Sequence, residues 1–238
     1  MTTVSENLLL SRDTLHIWRF EIPNSEDQFN NYLKLLSEDE VERSQRFYFQ
    51  KDRNEYVCCR GFLRESLSKY LDVDPVEIQF DYGKFGKPEI IALQKKPKIK
   101  FNISHSKGQA LLAVSDTDEI GVDIEYIKKI PEMFDIAKEL YTQNENSILR
   151  NSNDEAAQLF FRIWTRKEAI IKAVGHGLSA PLVSIDVSNE GIIKVDELFR
   201  DQSSEFIDCR IMDLMPPDGY SAAVALCGNI KEINYFTA

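Results

Sequence analysis

An α+β fold made of two similarly composed halves is what this sequence predicts, on three observations. Two strongly periodic helical stretches, near residues 52–71 and 155–174, stand far apart in the chain. Short extended segments accompany each of them. No linker rich in Pro, Gly or Ser separates the halves, so they are expected to pack as one unit. A soft boundary falls in Asp116-Thr117-Asp118-Glu119, which gives residues 1–117 and 118–238 as two subdomains.

In chain order, residues 15–20 read as a first strand. Ser37 and Glu40 form a Ser-x-x-Glu capping box that opens a helix toward Phe47. In the stretch 52–71, Tyr56, Cys59, Leu63, Leu67 and Tyr70 recur every three or four residues, the spacing of one helical face. Gly83 and Gly86-Lys87-Pro88 break the pattern as a turn. Extended segments follow at 98–103, 109–115 and 119–127, the second an apolar run suited to a buried strand. Ser152 with Glu155 reads as another capping box, opening the clearest helix of the chain. Its face is Leu159, Phe160, Ile163, Trp164, Lys167, Ile171 and Val174, and Gly175 and Gly177 end it. Extended segments return at 183–187, 205–212 and 220–226.

Charge narrows the function. The 238 residues carry a formal charge of −10, which argues against nucleic-acid binding, where affinity comes largely from neutralising phosphates. The balance is uneven: from Arg43 to Lys107 there are fourteen basic and eight acidic residues. Residues 84–107 hold seven lysines against Glu89 alone. Such a segment is either a solvated basic hairpin or a wall for a small polyanion or acidic partner. The first residues lack the basic start and apolar run of a signal peptide. No stretch approaches the roughly 18 apolar residues of a membrane span. Cys58, Cys59, Cys209 and Cys227 offer neither a zinc spacing nor a dense disulfide frame, so a reducing cytoplasm is expected.

Gly121-Val122-Asp123-Ile124-Glu125 alternates small or apolar residues with acids. On a strand Asp123 and Glu125 share a face. Two neighbouring carboxylates repel unless a cation or protons intervene, and oxygen ligands alone suit Mg²⁺. A solvent-facing acidic edge would give the same pattern. In Trp164-Thr165-Arg166-Lys167-Glu168-Ala169-Ile170-Ile171-Lys172, Glu168 and Lys172 lie one turn apart. They read either as a surface ion pair or, on so apolar a helix, as a third metal carboxylate with a phosphate-binding lysine. Phe101-Asn102-Ile103-Ser104-His105-Ser106 ends a strand in small polar groups and one of three histidines, either a self-satisfying turn or a contact for phosphate.

These segments together resemble the 4′-phosphopantetheinyl transferase superfamily, in its two-domain, surfactin-synthetase-activator-like, carrier-protein-activating type. The resemblance rests on four ordered motifs across residues 37–185: Gly86-Lys87-Pro88, residues 101–106, residues 121–125, and W-x-x-K-E-A-x-x-K-A-x-G-x-G-L from Trp164 to Leu178. It implies two similar subdomains related by a pseudo-twofold axis, each a small, mainly antiparallel sheet packed on helices. It implies Mg²⁺-dependent transfer of phosphopantetheine from coenzyme A to a serine of an apo acyl or peptidyl carrier protein, releasing 3′,5′-ADP. By position, Asp123, Glu125 and Glu168 correspond to the metal ligands, and Lys172 to the lysine near the diphosphate. Lys87, Ser104 and His105 correspond to coenzyme A contacts, and Arg43, Arg53 and Lys167 to the nucleotide pocket. Glu168 or Glu145 would take the serine proton. Some members carry a basic residue where this chain has Glu40. Tyr141, Ile148 and Leu149 are candidates for carrier docking or for core packing. The internal duplication favours a monomer with neither nucleic-acid nor membrane partners. A Mg²⁺-dependent diphosphate hydrolase and a non-catalytic coenzyme A or acidic-protein binding module are the competing readings.

Overall fold

The computed structural model describes residues 8–11, 13–83, 86–91, 99–116, 119–175, 181–195, 207–228, 230 and 232–238. Lys84, Lys95, Lys96 and Lys98 of the basic segment, Thr117 and Asp118 of the boundary, and Gly177 and Leu178 of the last motif lie outside the described residues.

Each half repeats one plan: a strand, three helices, a 3-10 turn after the longest of them, then a return of strands. The first half runs β1 (Thr14–Glu21), α1 (Glu26–Leu33), α2 (Glu38–Gln45), α3 (Gln50–Leu71) and a turn at Pro75–Glu77. It continues with the hairpin β2 (Phe80–Tyr82) and β3 (Pro88–Ile90), then β4 (Lys100–Ser106) and β5 (Gln109–Ser115). The second runs β6 (Glu119–Tyr126), α4 (Met133–Leu140), α5 (Gln143–Arg150), α6 (Ala156–Val174) and a turn at Leu182–Ser184. Its closing strands are β7 (Gly191–Val195), β8 (Ile207–Asp213) and β9 (Tyr220–Cys227). One sheet has the order β10-β1-β5-β4 and the other β6-β9-β8-β7. In both, the first strand of the half pairs antiparallel with the last.

The final strand, β10 (Glu232–Thr237), does not stay with the second half. It crosses back and pairs parallel to β1, from Thr14–Glu232 to Arg19–Thr237. Division at residue 117 therefore does not give two self-contained sheets.

The plan repeats down to its buried charges. In the first half Glu40 caps α2, accepting the Ser37 N–H at 3.1 Å, and takes Arg64 of α3 at 2.7 Å. Arg64 also donates to the carbonyls of Pro75 and Ile78 around the first 3-10 turn. In the second half Glu145 caps α5 through the Thr142 N–H at 2.8 Å and pairs with Lys167 of α6 at 2.8 Å. Lys167 also donates to Leu182 and Ile185 around the second turn. One carboxylate thus caps the start of a short helix, and one cation on the long helix fixes the turn that follows that long helix. Burial without a partner would be costly for any of these four groups. Glu40 needs no further cation to balance its charge, since Arg60 and Arg64 both meet it.

Two expectations fail. Ser152 does not cap α6: its hydroxyl donates to the Leu149 carbonyl instead, and residues 153–155 form a 3-10 turn before the helix begins. Of residues 183–187, the first two belong to the 3-10 turn Leu182–Ser184 rather than to a strand. Cys209 and Cys227 form a disulfide across β8 and β9, one step beyond the Arg210–Leu226 pair. Cys58 and Cys59 are free and buried in α3, and burial pushes the Cys58 thiol up to about 11. Among the described residues no helix is long and apolar enough to cross a membrane.

Tyr70 joins β1 to α3: its hydroxyl receives the Trp18 indole N–H and bonds His16 Nδ1 at 2.9 Å. Phe236 of β10 packs on both His16 and Trp18. Burial holds the His16 pKa below 6.5, with Glu232 opposing. The folded state therefore resists a proton that the unfolded chain accepts, and this part of the stability is lost as pH falls through about 6.5. Between about pH 7.5 and 5.5, wild type should lose stability faster than His16→Gln, by up to about 1.4 kcal/mol per pH unit. Denaturant melts of both proteins at the two pH values would check this; parallel losses would refute it.

Candidate active site

The two sheets meet edge to edge. β4 and β6 form no backbone ladder with each other; side chains of β4 serve the edge of β6 instead. Asn102 Oδ1 accepts the Val122 N–H at 2.9 Å. Two residues on, the Ser104 hydroxyl donates to Asp123 Oδ1 at 2.8 Å. Two further, the Ser106 hydroxyl donates to Glu125 Oε2 at 2.8 Å and accepts the Tyr126 N–H. Alternate residues of a strand face one way, so Asn102, Ser104 and Ser106 make a polar row along the seam. Sequence reasoning singled out Ser104 and missed Asn102 and Ser106, although this period of two was there to be read.

α6 lies on the other side of β6, and Gly121 sets the distance. A Cβ built on Gly121 would stand 2.0 Å from the Ala169 carbonyl oxygen and 2.4 Å from the Ala173 nitrogen. Backbone meets backbone there, which only glycine permits. The close approach delivers Glu168 and Lys172 to the acidic face of β6. Lys172 Nζ donates to Asp123 Oδ1 at 2.6 Å, to Ser104 Oγ at 3.0 Å and to the Val122 carbonyl at 3.4 Å. The ion pair of Lys172 is therefore with Asp123 across the seam, rather than with Glu168 along the helix.

Asp123 is 3% exposed, and its Oδ2 has no hydrogen-bond partner. Glu168 Oε1 is likewise buried and unpartnered. Burial raises the Glu168 pKa first of all; the charges of Asp123 and Glu125 raise it further and Lys172 opposes them. The Glu125 carboxyl is raised by burial and by Asp123, against the Ser106 hydrogen bond. The three acids thus feel one another's charge. They do not converge as a finished ion cage: among the described residues no group of three acids, histidines or cysteines is placed to hold a metal. In this structure the Lys172 ammonium holds Asp123 Oδ1. The donor chemistry still suits a hard divalent ion, with all-oxygen donors and two buried carboxylate oxygens unmet.

Comparison with known proteins bears directly on this seam. Residues 119–225 match the family model of the 4′-phosphopantetheinyl transferase superfamily, and residues 21–117 match that of the 4′-phosphopantetheinyl transferase N-terminal domain. The chain is 37% identical to the 4′-phosphopantetheinyl transferase HetI of Nostoc sp. over 93% of its own length and 91% of that protein. It is 34% identical to the 4′-phosphopantetheinyl transferase Sfp of Bacillus subtilis over 69% of its length and 71% of that chain. This chain belongs to the 4′-phosphopantetheinyl transferase superfamily. Among its relatives is the human L-aminoadipate-semialdehyde dehydrogenase-phosphopantetheinyl transferase, 31% identical over 65% of this chain and 53% of that one.

Within this transferase the remaining candidates scatter. His105 faces Glu55 of α3, Nδ1 to Oε2 3.7 Å, with 43% of its side chain open. Burial lowers its pKa and Lys172 adds to that, while Glu55 and Asp123 oppose. Arg43 lies over the Tyr56 ring on the exposed face of α2. Arg53 lies over Phe29, its Nε buried and unpartnered, in the wall of a cavity of about 430 Å³ between the starts of α1 and α3. Lys87 is not free for a nucleotide: it donates to Glu119, to the Ile120 carbonyl and to the Ala173 carbonyl, bolting the β2–β3 hairpin to β6 and α6. Lys100 pairs with Glu119 from the other side.

Lys167 and Glu145 are not brought to the seam. All three Lys167 protons are taken, and both Glu145 oxygens are met by Lys167, Thr142 and Val187. They fix α6 from behind. Lys167→Met should therefore destabilise the fold by about 3–5 kcal/mol, the cost of a stranded buried charge. Folded enzyme should keep its affinity for nucleotide; urea melts and ligand titration separate the two effects. Tyr141 and Leu149 are also interior, the Tyr141 hydroxyl donating to Phe160 O. Of the three docking candidates only Ile148 is exposed, with Phe134 nearby in sequence on α4 exposed as well.

Proposed function

We propose that this chain moves 4′-phosphopantetheine from coenzyme A to a serine hydroxyl of an apo acyl or peptidyl carrier protein, releasing 3′,5′-ADP. The observation that carries the reading is the pair of buried oxygens, Asp123 Oδ2 and Glu168 Oε1, unmet beside Lys172 and Ser104. Buried carboxylate oxygens left unpaired are costly, so the seam is built for something that arrives. Asp123, Glu168 and Glu125 would hold Mg²⁺, which when bound supplies charge neutralisation on the diphosphate.

The chain's own groups do the rest. Lys172, already at the centre of the seam, offers its ammonium to the diphosphate and to the phosphate of departing 3′,5′-ADP. Ser104 and His105 contact coenzyme A on the first-half side. Glu168 takes the serine proton on its carboxylate as the serine oxygen bonds to phosphorus. The bond from that phosphorus to the bridging oxygen of 3′,5′-ADP breaks in the same displacement. A raised carboxyl pKa suits a proton acceptor working near neutrality. Glu145, enclosed with Lys167, has no free oxygen for that task. The reading includes a monomer, since one chain supplies both sides of the seam, and a cytoplasmic location. The Cys209–Cys227 disulfide runs against that location, such bonds being rare in a reducing cytosol.

Incubation with coenzyme A, Mg²⁺ and apo carriers from fatty acid, polyketide, nonribosomal peptide and lysine pathways should add one phosphopantetheine to the accepted ones, read by intact mass. Chelation with EDTA should stop transfer and excess Mg²⁺ restore it. Release of 3′,5′-ADP with no carrier present would point to the diphosphate hydrolase instead.

A further inference from the structure

The junction of α2 and α3 exposes what a folded chain ordinarily hides. Residues 43–51, Arg-Ser-Gln-Arg-Phe-Tyr-Phe-Gln-Lys, hold three cations, three aromatics and no acid, in a chain of charge −10. Phe47, Tyr48 and Phe49 are consecutive and 37%, 91% and 62% exposed. The other exposed large apolar residues among those described stand singly in the sequence, which is ordinary for a protein surface. Tyr48 meets the Phe49 ring edge-on at 4.9 Å. Phe47 turns its ring toward Tyr56 of α3, so the trio is anchored at one end and open at the other.

Phe49 also stands in an unfavourable place. It is the N-cap of α3, with extended backbone and no side-chain hydrogen bond to the first turn. Ser, Thr, Asp and Asn satisfy those N–H groups, whereas an aromatic leaves them to water. The position gives up helix stability for an exposed ring, and nothing in the fold requires that. The cations beside it are weakly held. Arg46 and Lys51 are 77% and 72% exposed, and their pairs with Glu42 and Glu55 are long, 3.8 and 3.9 Å. Arg43 differs, lying back over Tyr56.

The patch adjoins the first-half wall of the seam. Glu55, one turn along α3 from Lys51, faces His105 at 3.7 Å. His105 follows Ser104, which donates to Asp123. A partner seated on the patch therefore stands beside the groups of the seam.

Resting on the transferase reading, we infer that the apo carrier protein docks here, laying an acidic amphipathic helix on Tyr48 and Phe49 with its carboxylates toward Arg46 and Lys51. Aromatic and arginine side chains are what the centres of interfaces favour. A chain of charge −10 repels an acidic partner at long range, and a run of cations free of acids is where such a partner can approach.

Tyr48→Ser removes a ring that is open to solvent, and Phe49→Ser gives α3 a favoured N-cap, so the double variant should melt no lower than wild type. Its KM for the apo carrier should rise at least about tenfold. The kcat at saturating carrier and the calorimetric affinity for coenzyme A should each stay within about twofold of wild type. Arg46→Glu should raise the same KM at low salt, with the difference vanishing at high salt. A carrier KM unchanged in the double variant and in Arg46→Glu would overturn the assignment. So would coenzyme A weakened as much as the carrier, which would give the patch to the nucleotide. Wild type sedimenting with vesicles of anionic phospholipid, and the double variant not, at an unchanged carrier KM, would give the patch to a lipid surface and overturn it too. If wild type modified no carrier at all, the transferase reading itself would fall, and this docking with it.

Discussion

Glu168→Gln should abolish phosphopantetheine transfer, by at least about 10³-fold in kcat, and leave a protein that melts no lower than wild type. The two halves of that expectation come from one environment. Glu168 is buried with Oε1 unmet, and its pKa is raised by burial and by the charges of Asp123 and Glu125, with Lys172 opposing. For a carboxyl so shifted, the fold favours the protonated form. The stability this confers is present at low pH and is lost as pH rises through the folded pKa. At neutral pH the ionised group therefore costs stability, and a neutral amide of the same shape removes that cost. A site held at the expense of stability is a familiar trade. Intact-mass transfer assays and thermal melts on the same preparation would check both parts. Transfer within a few-fold of wild type in a folded variant would remove Glu168 from the reaction.

Gly121→Ala should be the most damaging single methyl in the second half. The new Cβ has backbone on its far side, the Ala169 oxygen at 2.0 Å and the Ala173 nitrogen at 2.4 Å, so no side chain can yield. Either β6 or α6 must move. Overpacking of this kind costs roughly 1–3 kcal/mol, and backbone contact places this case at the upper end. The chemistry should suffer more than the fold, because α6 carries Glu168 and Lys172. A displacement near 1 Å is worth about 100-fold in rate. Denaturant melts and kcat measured together would show both losses. Activity close to wild type would mean that α6 does not set the site's geometry through this contact.

Much of this arrangement was legible in the sequence, because it rests on local patterns. The periodicity of residues 52–71 and 155–174 located α3 and α6, and the Ser37–Glu40 box located α2. The alternation in residues 121–125 gave a strand with both acids on one face. Long-range partners were not legible. Nothing near Lys87 or Lys167 in the chain says that their ammonium groups are used up on carbonyls 86 and 18 residues away. The motif letters alone made both look available to a nucleotide. Lys172 looked equally able to pair with Glu168 one turn back, and only the approach at Gly121 decides for Asp123. The short helices α1, α4 and α5 were missed because eight residues give too little period to stand out.

The return of β10 to β1 has a consequence for how the chain comes to be folded during synthesis. Helices α1 to α3 and the β1-β5-β4 ribbon are translated early, yet the strand that flanks β1 on its open side is supplied by residues 232–237. Phe236, which packs on His16 and Trp18, arrives with it. Until then the nascent first half presents an uncovered sheet edge to its surroundings, the kind of surface on which neighbouring polypeptides pair and chaperones act. Completion of the first half thus waits for a strand made after the second half.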